Sequence, residues 1–279
     1  MRLLLTLVFT LSSAEVGSQK SIKVHSYDSL ITYLTTGADL RYFFNTSICD
    51  DSALTSKADV PMFGGKIKLF VAYNDSENGS GQTIFSHVQY IDEDIKDLNV
   101  DIHTLWITND TAMIFWGKPS VFLNNTADMN VTMCNWTKGE GNIWVKPHRQ
   151  QKQMESFKEI KTMLTSGEEV RWVVNTKGCK CPLDPDDCGD GSFGNTIKDF
   201  KIMKDGSISF SASTTLFVPY SWLYVRLITS GYIFQNNTAN LVVTYLNPTT
   251  WEVRQTSRIF CPITSGSSTE GADFFTSSA

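Results

Sequence analysis

The residues that usually do chemistry are sparse in this chain. Its four histidines, His25, His87, His103 and His148, never pair at a ligand spacing, and no HExxH helix motif occurs. No GxSxG elbow, phosphate-cradling glycine loop or GxGxxG turn is present. The expectation is therefore no catalytic residue, no metal and no cofactor. Convergent triads and paired glycosidase carboxylates have no fixed spacing, so an enzyme of unrecognised chemistry stays open. Asp184, Asp186, Asp187 and Asp190 surround Cys188 in a superficially calcium-like loop. A calcium loop of the EF-hand type needs oxygen ligands at positions 1, 3 and 5 and a Glu at 12. Counted from Asp184, those last two positions are Cys188 and Asn195, so the stretch reads as a disulfide-pinned acidic turn. Asp92, Glu93, Asp94, Asp97 and Asp101 read as a solvated acidic loop or helix face.

Arg41 and Arg171 are the charges that stand out. They interrupt two apolar runs, Leu40–Phe44 and Val170–Val174. Alternation in a strand puts Arg41 opposite Tyr42 and on the face of Phe43. A buried guanidinium must be paired, so each is expected to serve as a structural ion pair or carbonyl clamp, or else as an anion anchor in a pocket. The seven tryptophans, at 106, 116, 136, 144, 172, 222 and 251, are candidates to line such a pocket, although core packing accounts for most of them.

The elements that must position these groups come in two copies. Ser26–Cys49 and Ser156–Cys179 align without a gap at an offset of 130, with nine of 24 positions identical. Chance gives roughly one or two. In the first copy Tyr27, Leu30, Ile31 and Leu34 fall at helical spacing, and in the second Phe157, Ile160 and Leu164 do. Ser26 and Ser156 stand at N-cap positions, Glu159 completes a capping box, and Gly37 and Gly167 stop the helices. Strands are predicted over LRYFF and VRWVV, over Lys66–Tyr73 with Thr83–Tyr90, and over Ile197–Met203 with Ser207–Phe210 around Lys204-Asp205-Gly206. Later strands are predicted at Trp222–Thr229, Gly231–Gln235, Ala239–Tyr245 and Trp251–Phe260. The expected class is α+β: two tandem repeats, each one N-terminal helix packed on a curled antiparallel sheet or partial barrel. The divisions are a signal peptide at 1–14, repeats at 22–145 and 155–276, and a polar linker at 146–154.

Compartment follows from the ends and the side chains. Arg2, the apolar Leu3–Leu11 and the small Ser12-Ser13-Ala14 read as a secretory signal. No later apolar run reaches the about 20 residues of a bilayer-spanning helix. Eight N-x-S/T sequons, at Asn45, Asn74, Asn78, Asn109, Asn124, Asn130, Asn135 and Asn236, exceed the about three that composition gives. Six cysteines in an exported chain imply disulfides. The repeat pairs Cys49 with Cys134 and Cys179 with Cys261, each joining the first strand of its copy to the last, and leaves Cys181 with Cys188. A net charge of −5 without a basic stripe argues against nucleic acid.

The order YDSL, L-x-x-G-x-x-(L/V)-R, a strand ending in Cys, FGNTIKDFKIMKDGSISFS, a late Cys and a near-terminal GADFF resembles the VirK family, exported bacterial proteins first noted in virulence loci. The likeness covers about Ser156–Phe275 and is weaker in the first copy. Members are typically a single copy, so the doubling, the sequons and the Cys181/Cys188 loop are departures. The resemblance implies a small exported β-rich domain and no reaction. The expected function is that of a secreted, N-glycosylated, disulfide-stapled two-domain binding protein of the extracellular matrix or a secretion, with an extracellular protein, glycan or small molecule as its partner. The alternative is a small-molecule binder using the sheet concavity of each repeat.

Overall fold

A computed structural model describes residues 20–49, 62–74, 81–92, 98–117, 130–146, 151–182, 188–218, 221, 223–265 and 270–277. The expected signal peptide, the sequons at Asn78 and Asn124, and residues 93–97 and 183–187 of the two acidic stretches lie outside them.

The first half runs β1 (Ile22–Lys23), α1 (Tyr27–Thr35), β2 (Leu40–Asn45), β3 (Met62–Lys66), β4 (Phe70–Asn74), β5 (Gly81–Asp92), β6 (Leu98–Ile107), β7 (Thr111–Gly117), β8 (Asn130–Asn135) and β9 (Gly141–Val145). The second runs β10 (Gln151–Met154), α2 (Phe157–Thr165), β11 (Val170–Asn175), β12 (Gly191–Ile197), β13 (Phe200–Ile202), β14 (Ile208–Val218), β15 (Leu223–Phe234), β16 (Thr238–Leu246), β17 (Val253–Pro262) and β18 (Gly271–Ser277). The helices begin and end where their caps dictate. The Ser26 hydroxyl accepts from Ser29 N at 3.2 Å, and that of Ser156 accepts from Glu159 N at 3.3 Å. Gly37 and Gly167 take φ of 75° and 85°, a stop that residues with a Cβ resist.

The α+β expectation is corrected. Among the described residues the fold is mostly β, 60% strand against 13% helix, in three sheets of which none closes. Each helix is nine residues long and buries three side chains, so the strands build the core. The sheet orders are β1-β9-β2-β3, β10-β18-β11-β12-β4-β5-β6-β7-β8, and β13-β14-β15-β16-β17. Two supposed continuous strands are broken, and this splits the sheets. Lys66–Tyr73 divides into β3 and β4 because Ile67 and Leu69 bury into different cores, one in each half. Ile197–Met203 divides likewise into β12 and β13. Instead of curling into a barrel, β12 pairs antiparallel with β4, with Phe193 opposite Val71 and Gly194 opposite Phe70.

That pairing makes the middle sheet common to both halves. Val173 and Phe275 of the second half enter the first half's core, while Leu69 and Val71 of the first join the second's. Further along, Phe115 packs on Phe217 at 4.6 Å, and Phe217 N donates to Thr104 Oγ1. Part of the stretch expected as a linker, 151–154, is strand β10 on β18.

All six cysteines are paired: Cys49–Cys134, Cys179–Cys261 and Cys181–Cys188. The partners are those expected, but Cys134 and Cys261 sit in β8 and β17, each followed by one further strand. Each long staple therefore ties the end of β2 or β11 to an edge strand of a different sheet.

Candidate functional site

The two arginines do not come together, and only one is buried. Arg41 lies on the exposed face of β2, so its expected burial is corrected; β2 alternates because one of its faces meets solvent. Arg171 is 6% exposed, because β11 lies inside the nine-stranded sheet with both faces covered. Its Nη1 donates to the carbonyl of Ala38 in the loop after α1. Asp39, Lys66 and Glu169 surround it around a 110 Å³ void. Lys66 Nζ lies 3.0 Å from Glu169 Oε1 and 3.3 Å from Asp39 Oδ1. Burial lowers the Arg171 pKa, against the opposing pull of Asp39 and Glu169. Gln151 Nε2 donates to Gly37 O at 2.6 Å beside it. Two cations and two anions cancel, so this cluster clamps the halves together.

A larger opening lies between the sheets of the second half. Its floor is the inward face of β12 extended by β4, where Phe193 neighbours Val71 and Gly191 neighbours Tyr73. Its roof is the inward face of β15, β16 and β17, with Leu227, Val243 and Ile259. The volume is about 510 Å³. It stays open because this end of the floor reads Gly191-Ser192 and the roof's edge carries Ser257, side chains too short to meet across stacked sheets about 10 Å apart. Farther in, Trp172 meets Phe193 edge-on at 5.6 Å and Phe210 at 5.8 Å, and the core closes.

Thr176, Ser192, Gln255 and Ser257 add polar groups to the lining, and the charged groups stand at the rim. Asp190 and Arg258 are exposed at the mouth, and the Tyr73 and Tyr245 rings line the wall. Burial raises the Tyr245 pKa, which keeps the phenol neutral at physiological pH. The Cys181–Cys188 disulfide borders the same opening. No described tryptophan lines it. Among the described residues, no three His, Cys, Asp or Glu side chains are grouped to hold a metal ion, and no helix is long and apolar enough to cross a membrane.

Sequence reasoning missed this site because half its floor arrives from a strand some 120 residues earlier in the chain. The available signal was the small Gly191-Ser192 pair opening an otherwise bulky strand. Also missed was Asp273 of the GADFF segment, 6% exposed on β18. Gln153 Nε2 donates to its Oδ1 at 2.7 Å, and the Thr264 hydroxyl donates to the same oxygen. Burial outweighs the Gln153 hydrogen bond and pushes its pKa up to about 6.

No curated protein matches the chain. A crystal structure of a VirK family protein from Legionella pneumophila aligns at 15% identity over 44% of this chain and 98% of that one, with a TM-score of 0.39, too low to carry a fold assignment. The family model described as VirK protein matches residues 153–251, which begin at β10 and end just before β17. Over that stretch, and on a scaffold whose six cysteines are all paired, the chain is similar to the VirK family.

Proposed function

We propose that the chain is an exported, N-glycosylated, tandem VirK-like protein that acts by binding, with a small amphipathic molecule held between the sheets of its second half. One observation carries the reading: β4 of the first half completes the floor of a 510 Å³ cleft that no described side chain fills. Ligand pockets fall within about 300–1,000 Å³ and are mostly apolar with a few polar groups. The apolar walls suit a hydrocarbon or aromatic body, and the Arg258 and Asp190 rim suits a polar head. Doubling is supported by the 24-residue match and by an element order from β1 to β9 that recurs from β10 to β18. Export is supported by three disulfides, which persist in oxidising compartments, together with the sequon excess and the leader-like first residues.

The test uses the full chain secreted from a glycosylating host. Native mass spectrometry seeks a retained small molecule, and titration with an anionic anilinonaphthalene fluorophore measures access to the cleft. One equivalent of probe is expected to bind, and Val243→Trp, which fills the roof side, is expected to weaken binding at least tenfold while the melting curve stays cooperative. Equal binding by the filled variant, or none by the wild type, overturns the cleft and leaves surface-mediated interaction as the reading.

A further inference from the structure

The turn between β15 and β16 carries the sequon Asn236-Asn237-Thr238, and its neighbours are pinned on every side but one. Gln235 Nε2 donates to the Asp205 carbonyl at 3.0 Å. Asn237 takes a φ of 61°, its side-chain oxygen accepts from Phe157 N at 2.8 Å at the start of α2, and its carbonyl accepts from Ile263 N. Asn237 N in turn donates to Phe234 O, closing the turn. Gln235, Asn236 and Asn237 are all exposed, but the side chains of Gln235 and Asn237 are tied to Asp205 and Phe157, whereas that of Asn236 bonds within the sequon. Its oxygen accepts the Thr238 hydroxyl at 2.7 Å, which leaves the amide nitrogen, the atom that takes a sugar, turned to solvent.

Phe234 stands two residues before Asn236 and is paired directly across the ladder with Thr238, so both flank the turn on the sheet's outer face. The ring is half-buried and stacks with Tyr232 at 6.4 Å and 15°. An open groove continues from these rings along Lys204, Asp205 and Ser207 to Asn240, whose side-chain oxygen is buried without a hydrogen-bond partner. An aromatic ring presents a negative face, which attracts the polarised C–H face of a pyranose as it attracts other partial positive charge.

We infer that the glycan on Asn236 lies back over this face, its first N-acetylglucosamine seated on Phe234 and against Thr238, with the groove toward Tyr232 and Asn240 taking the next sugar. Transfer forms the bond from the Asn236 amide nitrogen to the sugar's C1; the amide gives up one proton and the diphosphate of the activated lipid-linked sugar leaves. The glycan is thus a structural part of the β15–β16 hairpin. Three other described sequons lack this seat. Asn45 and Asn135 are half-buried and their oxygens cap turns, accepting from Ser47 N and Lys138 N. The analogous β6–β7 turn exposes Asn109, but Thr108, paired across it, stands where Phe234 does.

The inference rests on the exported-glycoprotein reading, and the experiment separates the two. Wild type, Asn236→Gln, Phe234→Leu and the double variant are secreted as full chains from a glycosylating host, mapped by glycopeptide mass spectrometry and melted. Asn236→Gln is expected to lower the midpoint by about 2–4 °C in the wild-type background, the shift that a contact of one aromatic pair's strength makes in a domain of this size, and by less than a quarter of that in the Phe234→Leu background. Phe234→Leu, which keeps an apolar side chain, is also expected to speed enzymatic release of the Asn236 glycan from the folded protein several-fold. Equal midpoint shifts in both backgrounds, or an Asn236 left bare while other sequons are occupied, overturn the inference. A protein bare at every sequon overturns the glycoprotein reading beneath it.

Discussion

Asp273 is the residue whose chemistry most exceeds what its position requires. Its carboxyl keeps a proton up to about pH 6 in the folded chain, against an ordinary 3.8 when exposed, because burial disfavours the charged form. The folded state therefore binds the proton more tightly than the unfolded state does. Its contribution to stability is complete below about pH 4, is lost as pH rises through 6, and leaves a constant penalty above. Asp273→Asn keeps the oxygen that accepts from Gln153 and Thr264 and cannot ionise. It is expected to raise unfolding stability at pH 7.5 by about 2 kcal/mol, the order of a shift this large once solvent screening is allowed for, and to change it little at pH 4. Urea melts of both proteins at the two pH values check this, and a gain of equal size at both would show that the charge is not the cause. Arg171, buried on the same sheet, meets the opposite solution: its charge is kept by placing Asp39 and Glu169 beside it.

Elements shorter than the sheet were readable in the residues, and the reasons are local. Capping serines, the glycine stops, the Lys204-Asp205-Gly206 turn and the two long disulfides each depend on chain neighbours or on the likeness between residues 26–49 and 156–179. Asp205 accepts from Ser207 N at 2.9 Å in that turn, as its composition suggests. Strand limits went wrong where a residue answers to a distant partner. The residues read as two strands broken at Ser230, with Gly231 opening the second, yet β15 runs straight through both. Position 231 is glycine because the ring of Phe210, its cross-strand partner, lies over it; a Cβ there would meet that ring at 2.1 Å. Gly231→Ala should displace Phe210 from its contact with Trp172 and cost about 1–3 kcal/mol, the range for overpacking a core. Pairing it with Phe210→Leu should recover part of the loss, as a double-mutant cycle in denaturant would register. The candidate cleft was illegible for the same reason, since its floor depends on β4 meeting β12.

At the scale of the whole molecule, that junction, with the Phe115–Phe217 and Arg171–Ala38 contacts, governs whether the halves can exist apart. A strand at the edge of a sheet presents unpaired N–H and C=O groups that recruit another chain unless something covers them. In the intact protein β4 covers β12 over four residue pairs, and the first half's core covers the outward side of β11 and β18 at Val173 and Phe275. The stretch similar to the VirK family, 153–251, lies wholly on the second half, so residues 151–279 make the natural fragment to express. Severing it uncovers the β12 edge, the apolar Val173 and Phe275, and the charge of Arg171, which loses Asp39 and its hydrogen bond to Ala38. The fragment is therefore expected to self-associate, with a sedimentation coefficient that rises with concentration, and to lose probe binding because half the cleft floor is gone. Adding the first half as a separate chain should restore both, since antiparallel pairing and core contacts need no covalent link. Sedimentation velocity and fluorophore titration on the fragment, alone and mixed, decide it. A fragment that stays monomeric and binds the probe as the intact chain does would mean that β4 is dispensable, and that the site belongs to the second half alone.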